Sequence, residues 1–163
     1  MINQKAPFIW SVAWRICIRN NMKLELITLT GPKIQEDVYE VILPTATGDI
    51  TVLPGHMPLI ALAVPGVIAI RRTKQDSDEQ RELYATNGGL IEVSQKALRV
   101  LVDEADHADD IHEEHAQKAL EHARQLKEQA KDQVELDHAQ ALIDRQAVRL
   151  KVAELRRHRR IRR

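Results

Sequence analysis

Every proline and glycine of the chain lies at or before Gly89, and the stretch from Leu90 to Arg163 contains neither. Both residues make turns and weaken the interior of a helix. A chain punctuated this way has to be two structures in series, a turn-rich part followed by a helical one. The marks fall at Gly31-Pro32, Pro44 to Gly48, Pro54-Gly55, Pro65-Gly66 and Gly88-Gly89. Between and after them run short aliphatic and β-branched segments: LELITL, VYEVILP, DITVL, VIAIRR, ELYAT, LIEV and LRVLV. Short strands between regular turn signals read as an antiparallel sandwich or barrel. No helix-length segment separates them, which disfavours a parallel sheet. The charged run RRTKQDSDEQRE is expected to form an exposed hairpin tip.

Beyond Ala105 the apolar period changes from two to about 3.6. Asp109 or Asp110 is the expected N-cap, with Glu113 and Glu114 suiting the positive end of the helix dipole. Ala116, Ala119, Ala123 and Ala130, with Leu120 and Leu126, mark a first helix ending near Ala130. Asp132 or Asp137 would cap a second, along which Leu136, Ile143 and Leu150 recur every seven residues beside Ala139, Ala147 and Ala153. Small and apolar residues on one stripe let two helices pack closely, so an antiparallel helical hairpin is expected, with one long helix as the alternative. The expected class is α+β: an N-terminal antiparallel β-sandwich or barrel over residues 22–106, then a C-terminal two-helix hairpin with a basic tail over residues 107–163.

Residues 1–21 differ from the rest, holding both tryptophans, the only phenylalanine and the only cysteine. Their apolar run is too short to span a bilayer and is broken by Arg15. No small-residue cleavage pattern follows, which argues against a secretory signal. The extension reads as a start-site artefact, with translation beginning at Met22, or as a weak interfacial helix. A single cysteine, Cys17, rules out an internal disulfide framework.

A formal net charge of zero conceals a strong asymmetry, with acids clustered from Asp103 to Asp137 and a basic end from Arg145 to Arg163. Arg156, Arg157, Arg159 and Arg160 stay charged at any cellular pH and seek carboxylate or phosphate partners. No aromatic residues are interleaved to stack bases, so nucleic acid is not the expected partner.

One motif suggests a metal. DIHEEHAQ, residues 110–117, approximates the zinc-binding helix H-E-x-x-H, but its histidines stand three apart, not four, and no third ligand follows at a defined spacing. No dedicated metal site and no cofactor are expected. No Gly-rich phosphate loop or paired nucleophile and base is present, so the chain does not read as an enzyme.

The segment GDITVLPGHMPLIALAVPG carries a resemblance. Gly48, Asp49, Val52, Leu53, Pro54, Gly55, His56, Pro58 and Leu59, followed by Pro65-Gly66-Val67, resemble the epsilon subunit of the F-type rotary ATP synthase. ATNGGLIEV (Ala85 to Val93), LRVLVDEADHADDI and LKVAEL are similar to later segments of that family, in its order. Thr51 departs from it, standing where glycine is usual. The resemblance implies a β-sandwich followed by a helical hairpin, in a non-catalytic central-stalk subunit linking gamma to the c-ring. The hairpin would fold down on the sandwich or extend beside gamma and inhibit ATP hydrolysis. It implies a peripheral place on the cytoplasmic side of a prokaryotic cell membrane, in a proton-translocating complex with alpha and beta subunits.

Residue by residue, the resemblance puts Gly48, Asp49 and Ile50 in the turn that meets the c-ring. It puts His56 and Met57 near gamma, although Gly48 and Gly55 also suit tight turns alone. Arg156, Arg157, Arg159 and Arg160 would contact the acidic base of the beta subunits. Ile111, His112, His115 and Ala116 occupy a motif I/L-D-x-x-R-A associated with ATP binding. With His112 replacing Asp and His115 replacing Arg, weak or absent ATP binding is expected. The rival reading is a free-standing sandwich adaptor whose basic arm binds RNA or acidic proteins.

Overall fold

The computed structural model describes residues 21–161, so the expectation for the N-terminal extension falls almost wholly outside the described residues. Eight strands precede two helices: β1 (Met22–Thr28), β2 (Gly31–Val38), β3 (Glu40–Thr45), β4 (Gly48–Val52), β5 (Leu59–Arg71), β6 (Glu82–Val93), β7 (Ala97–Val102), β8 (Ala105–His107), α1 (Glu113–Gln129) and α2 (Gln133–Ile161).

The sheet runs in the order β2-β1-β7-β6-β5-β3-β4, with β8 also paired to β6. β5 and β6 pair from Leu59↔Val93 to Ile70↔Glu82 and belong to both layers. One half of this ribbon joins β7, β1 and β2. The other half joins β3, β4 and β8. The ribbon bends where Pro65-Gly66 faces Asn87 and Thr86, beside Gly88 and Gly89 at φ 102° and 150°. One continuous sheet thereby closes into a sandwich whose core draws on all eight strands.

That core is aliphatic. Leu24, Leu26, Val41, Leu43, Ile68, Ile70, Ile91, Leu98 and Val100 are essentially inaccessible. Each such side chain contributes roughly 1.5–3 kcal/mol. Tyr84 is the aromatic member, edge-on to His107 at 4.9 Å between ring centroids. Burial, and then the carboxylates of Glu82 and Glu36, push its phenol up to about 12.

β1 and β7 run parallel, Lys23↔Ala97 through Ile27↔Leu101, whereas the other pairings are antiparallel. The sandwich is antiparallel as expected apart from this one pair, which the sequence reading did not foresee. The crossover that a parallel pair requires is supplied by the intervening strands and not by a helix. RRTKQDSDEQRE is the β5–β6 connection as expected, with a short 3-10 turn at Asp78–Gln80 and the Ser77 N–H donating to Gln80 Oε1 at 2.7 Å.

The hairpin forms, and it lies against the sandwich. Ala69, Leu83 and Ala85 on the outer face of the β5–β6 ribbon pack with Ala108, Ile111, Val152 and Ala153 in a second apolar cluster. The helix caps differ in part from expectation. Asp109 and Asp110 sit in a 3-10 turn whose start is capped by His107 Nδ1 accepting from the Asp109 N–H at 3.2 Å. α1 begins after His112, which makes no side-chain cap bond. Ile111 is extended and buried, and inserting it between sheet and helix delays the helical turn. Asp132 does cap α2, accepting from the Glu135 N–H at 2.8 Å.

The buried line along α2 runs through Ala139, Gln146 and Ala153, not Leu136, Ile143 and Leu150, and Ala147 faces solvent. α2 has two neighbours, α1 on one side and the sheet on the other. The inaccessible line lies between them.

Candidate functional site

Alternation along a strand leaves one face of the β5-β6-β7-β1 layer outside the core. Register aligns two rows on it. Leu62, Leu90, Leu101 and Ile27 form an apolar row across the strands, and Ile60, Glu92, Arg99 and Glu25 a mixed one beside it. Ile60 is 72% exposed and Leu62 70%, and Met57, just ahead of β5, is 78% exposed. Isolated exposed aliphatics are ordinary, but a registered row across four strands marks a contact surface. Beside it, Lys23 and Arg99 hydrogen-bond Glu25 and hold its carboxyl below its ordinary range.

Two loops near this face carry the turn residues singled out in the sequence. In Leu53-Pro54-Gly55-His56 the His56 N–H donates to the Leu53 carbonyl at 3.0 Å, and Gly55 takes φ 86°, as a type II turn requires at its third residue. The His56 ring donates from Nδ1 to the Met57 carbonyl at 2.7 Å, which orients the imidazole. The β3–β4 turn is closed by the Thr45 hydroxyl donating to the Gly48 carbonyl at 2.5 Å, with Gly48 at φ 118°. Asp49 behind it is exposed and Ile50 tucks against the core. The β1–β2 turn repeats the device, Thr28 donating to the Gly31 carbonyl at 2.9 Å, so T-x-T-G is one hairpin used twice.

The four motif positions at the start of α1 divide by burial. Ile111 and Ala116 are buried, while His112 and His115 are exposed with ring centroids 5.6 Å apart. They border a cleft of about 270 Å³ lined also by Asp106, Asp110, Ala119, Gln146 and Arg149. Arg149 is bound to Asp106 (2.7 Å), and Gln146 Oε1 is buried without a hydrogen-bond partner. Among the described residues no group of three or more His, Cys, Asp or Glu side chains is placed to hold a metal ion.

The basic end of α2 is not loose. Arg156 donates to the Ala108 carbonyl at 2.6 Å, and Arg159 to the Arg81 carbonyl at 2.6 Å. Arg157 is exposed, and the side chain of Arg160 lies outside the described residues.

The family model for the beta-sandwich domain of the ATP synthase Delta/Epsilon chain matches residues 21–108. An ATP synthase epsilon chain of Herpetosiphon aurantiacus is 32% identical over 85% of this chain and 98% of its own length. The chain belongs to the ATP synthase epsilon family. An epsilon chain of Bacillus velezensis is 30% identical over 81% of this chain and 96% of its own. The fold is also similar to a chain in the Euglena gracilis mitochondrial ATP synthase, with a TM-score of 0.71 at 21% identity over 94% of this chain and 91% of that one.

Against this epsilon family fold, the structure separates the sequence-assigned residues into distinct surfaces. The Gly48–Ile50 turn and His56-Met57 lie on the sandwich, and the motif positions with the arginines lie on the hairpin side. Sequence reading missed Ile60, Leu62, Leu90 and Leu101. For Ile60 and Leu62 the signal was present in LIALAV, which is apolar at every position where a one-sided strand would alternate. It also missed that Arg145 and Arg149 face Glu104 and Asp106. Only the docking of the hairpin reveals those pairs.

Proposed function

We propose that this chain is a non-catalytic central-stalk subunit of a proton-translocating ATP synthase, linking gamma to the c-ring and inhibiting ATP hydrolysis through its C-terminal hairpin. The observation that carries the reading is the division of the sandwich surface. One outer face is covered by the chain's own helices, while the other presents the open row Leu62, Leu90, Leu101 and Ile27. An open apolar sheet face with Met57 and His56 at its rim suits a permanent partner, gamma. The exposed turn at Gly48, Asp49 and Ile50 suits the polar loops of a c-ring. Arg156, Arg157, Arg159 and Arg160, once the hairpin extends, suit the acidic base of the beta subunits. The site of action is then the cytoplasmic side of the cell membrane, reached through the complex; among the described residues no helix is long and apolar enough to cross it. The rival reading, a basic arm for RNA, gains nothing from Arg156 and Arg159, which both donate to carbonyls of their own chain.

Two measurements test this. Full-length chain should co-purify with gamma and the c-ring, and a chain ending at Ala108 should still do so. The complex carrying that truncation should hydrolyse ATP about fivefold faster or more, the size of a modest coupling between sites. Unchanged hydrolysis would remove the inhibitory role and leave the linking role standing.

The cleft at His112 and His115 is expected to bind ATP weakly. Asp106 and Asp110 in its lining repel a polyphosphate, and Arg149 is already committed to Asp106. Calorimetric titration of the full chain at neutral pH should detect no micromolar site. Restoring His112→Asp and His115→Arg together should tighten binding about tenfold or more, the worth of one charge-assisted pairing. Micromolar affinity in the unaltered chain would refute this.

A further inference from the structure

We infer that an ionic clasp holds α2 on the sandwich, and that it competes with the inhibitory role because both use Arg156 and Arg159. The second half rests on the function proposed above. Four arginines, Arg145, Arg149, Arg156 and Arg159, occupy one stripe of α2. Their acceptors follow in the same order along the chain segment beneath for the first three. Arg145 pairs with Glu104, and Arg149 Nη2 lies 2.5 Å from Asp106. Arg156 reaches the Ala108 carbonyl and stands 3.5 Å from the Asp109 carboxylate. Arg159 closes the far end on the carbonyl of Arg81, whose own guanidinium is 2.6 Å from Glu40.

The apolar contact that the stripe flanks is built on alanines with Ile111, Leu83 and Val152, and half-buried Ile42, Val67, Val148 and Leu155 pack against it. Hydrophobic attraction grows with apolar area, so the alanines in this contact give less of it than larger side chains would, and the charges add to the docking. Arg145, Arg149 and Arg156 side chains are each nearly 30% exposed, and pairs in that setting are weakened by salt. The clasp is therefore readily undone. Arg156 and Arg159 can satisfy their own chain or an acidic partner, not both. Asp109, with the Ala108 and Arg81 carbonyls, thus acts as an internal stand-in for that partner.

The test uses the full chain with Cys17→Ser, Lys33→Cys and Lys151→Cys, carrying a donor and an acceptor dye. Energy transfer should be high at low salt and fall as sodium chloride rises about tenfold, through the loss of screening length. Glu104→Gln with Asp106→Asn should shift the ratio of docked to released hairpin about three- to tenfold towards release and flatten the salt response. Glu104→Arg alone should likewise release the hairpin, and adding Arg145→Glu should restore transfer, which separates lost pairing from misfolding. Unchanged transfer and salt response in the Gln/Asn variant would overturn the clasp. In the assembled complex the same variant should hydrolyse ATP more slowly than the unaltered one. Release without slower hydrolysis would keep the clasp and refute the inhibitory reading.

Discussion

Gly89→Ala is expected to abolish or nearly abolish the folded sandwich. A Cβ at Gly89 would lie 2.0 Å from the Leu101 carbonyl oxygen and 2.9 Å from the Val102 Cα, both backbone atoms of β7. No rotamer change relieves such a clash, because the obstacle is the neighbouring strand itself. The backbone also takes φ 150°, a region that side-chain-bearing residues rarely adopt. Together the two effects should cost roughly 3–5 kcal/mol, comparable with the entire stability of a small domain. Gly31→Ala is the matched control: its φ is 123°, but a Cβ there meets nothing within 4 Å. It should cost about 1 kcal/mol, the conformational part alone. Urea midpoints of the two variants decide the matter, and equal shifts would deny the close strand approach.

Ala153→Glu should release the hairpin while the sandwich stays folded. Ala153 is fully inaccessible, packed in the cluster that holds Ala69, Ala85 and Val152. A carboxylate there would be buried among methyl groups, with the flanking Arg149 and Arg156 already committed to Asp106 and the Ala108 carbonyl, at about 3 kcal/mol or more. Undocking α2 avoids that cost, since the sandwich core contains no residue beyond Ala105. Limited trypsin digestion should cut α2 at Arg149 to Arg157 much faster than in the unaltered chain. The sandwich transition, read by urea unfolding of a variant already trimmed by trypsin, should be nearly unchanged. Loss of the sandwich along with the hairpin would show that the two cannot be separated.

The first half of the chain was readable because its turns are chemical necessities. Gly48 and Gly55 sit at positive φ where the punctuation placed turns, and Thr45 and Thr28 hydroxyls close two of the hairpins. The parallel β1–β7 pair was not readable, because register between distant strands is settled by packing and leaves no local mark. The end of α1 near Ala130 followed from alanine spacing, but its start did not. Buried Ile111 imposes an extended residue that propensity alone gives no reason to expect. At the candidate site, His112 and His115 were visible as a motif, whereas the contact row through Leu62 and Leu90 needed the strand register to become a row. Arg156 and Arg159 read as part of a basic tail seeking carboxylate or phosphate partners, because sequence does not disclose which carbonyls of the chain they reach.

The parallel pairing also sets an order of events during synthesis. β1 leaves the ribosome first, yet its partner β7 ends at Val102, after every strand but β8. Until then one edge of β1 has nothing to pair with, and contacts so distant in sequence form slowly. The nascent chain must therefore carry an open strand edge through most of its translation, a period in which neighbouring chains can pair with it in error. The helices emerge last, onto a sandwich that by then can be complete.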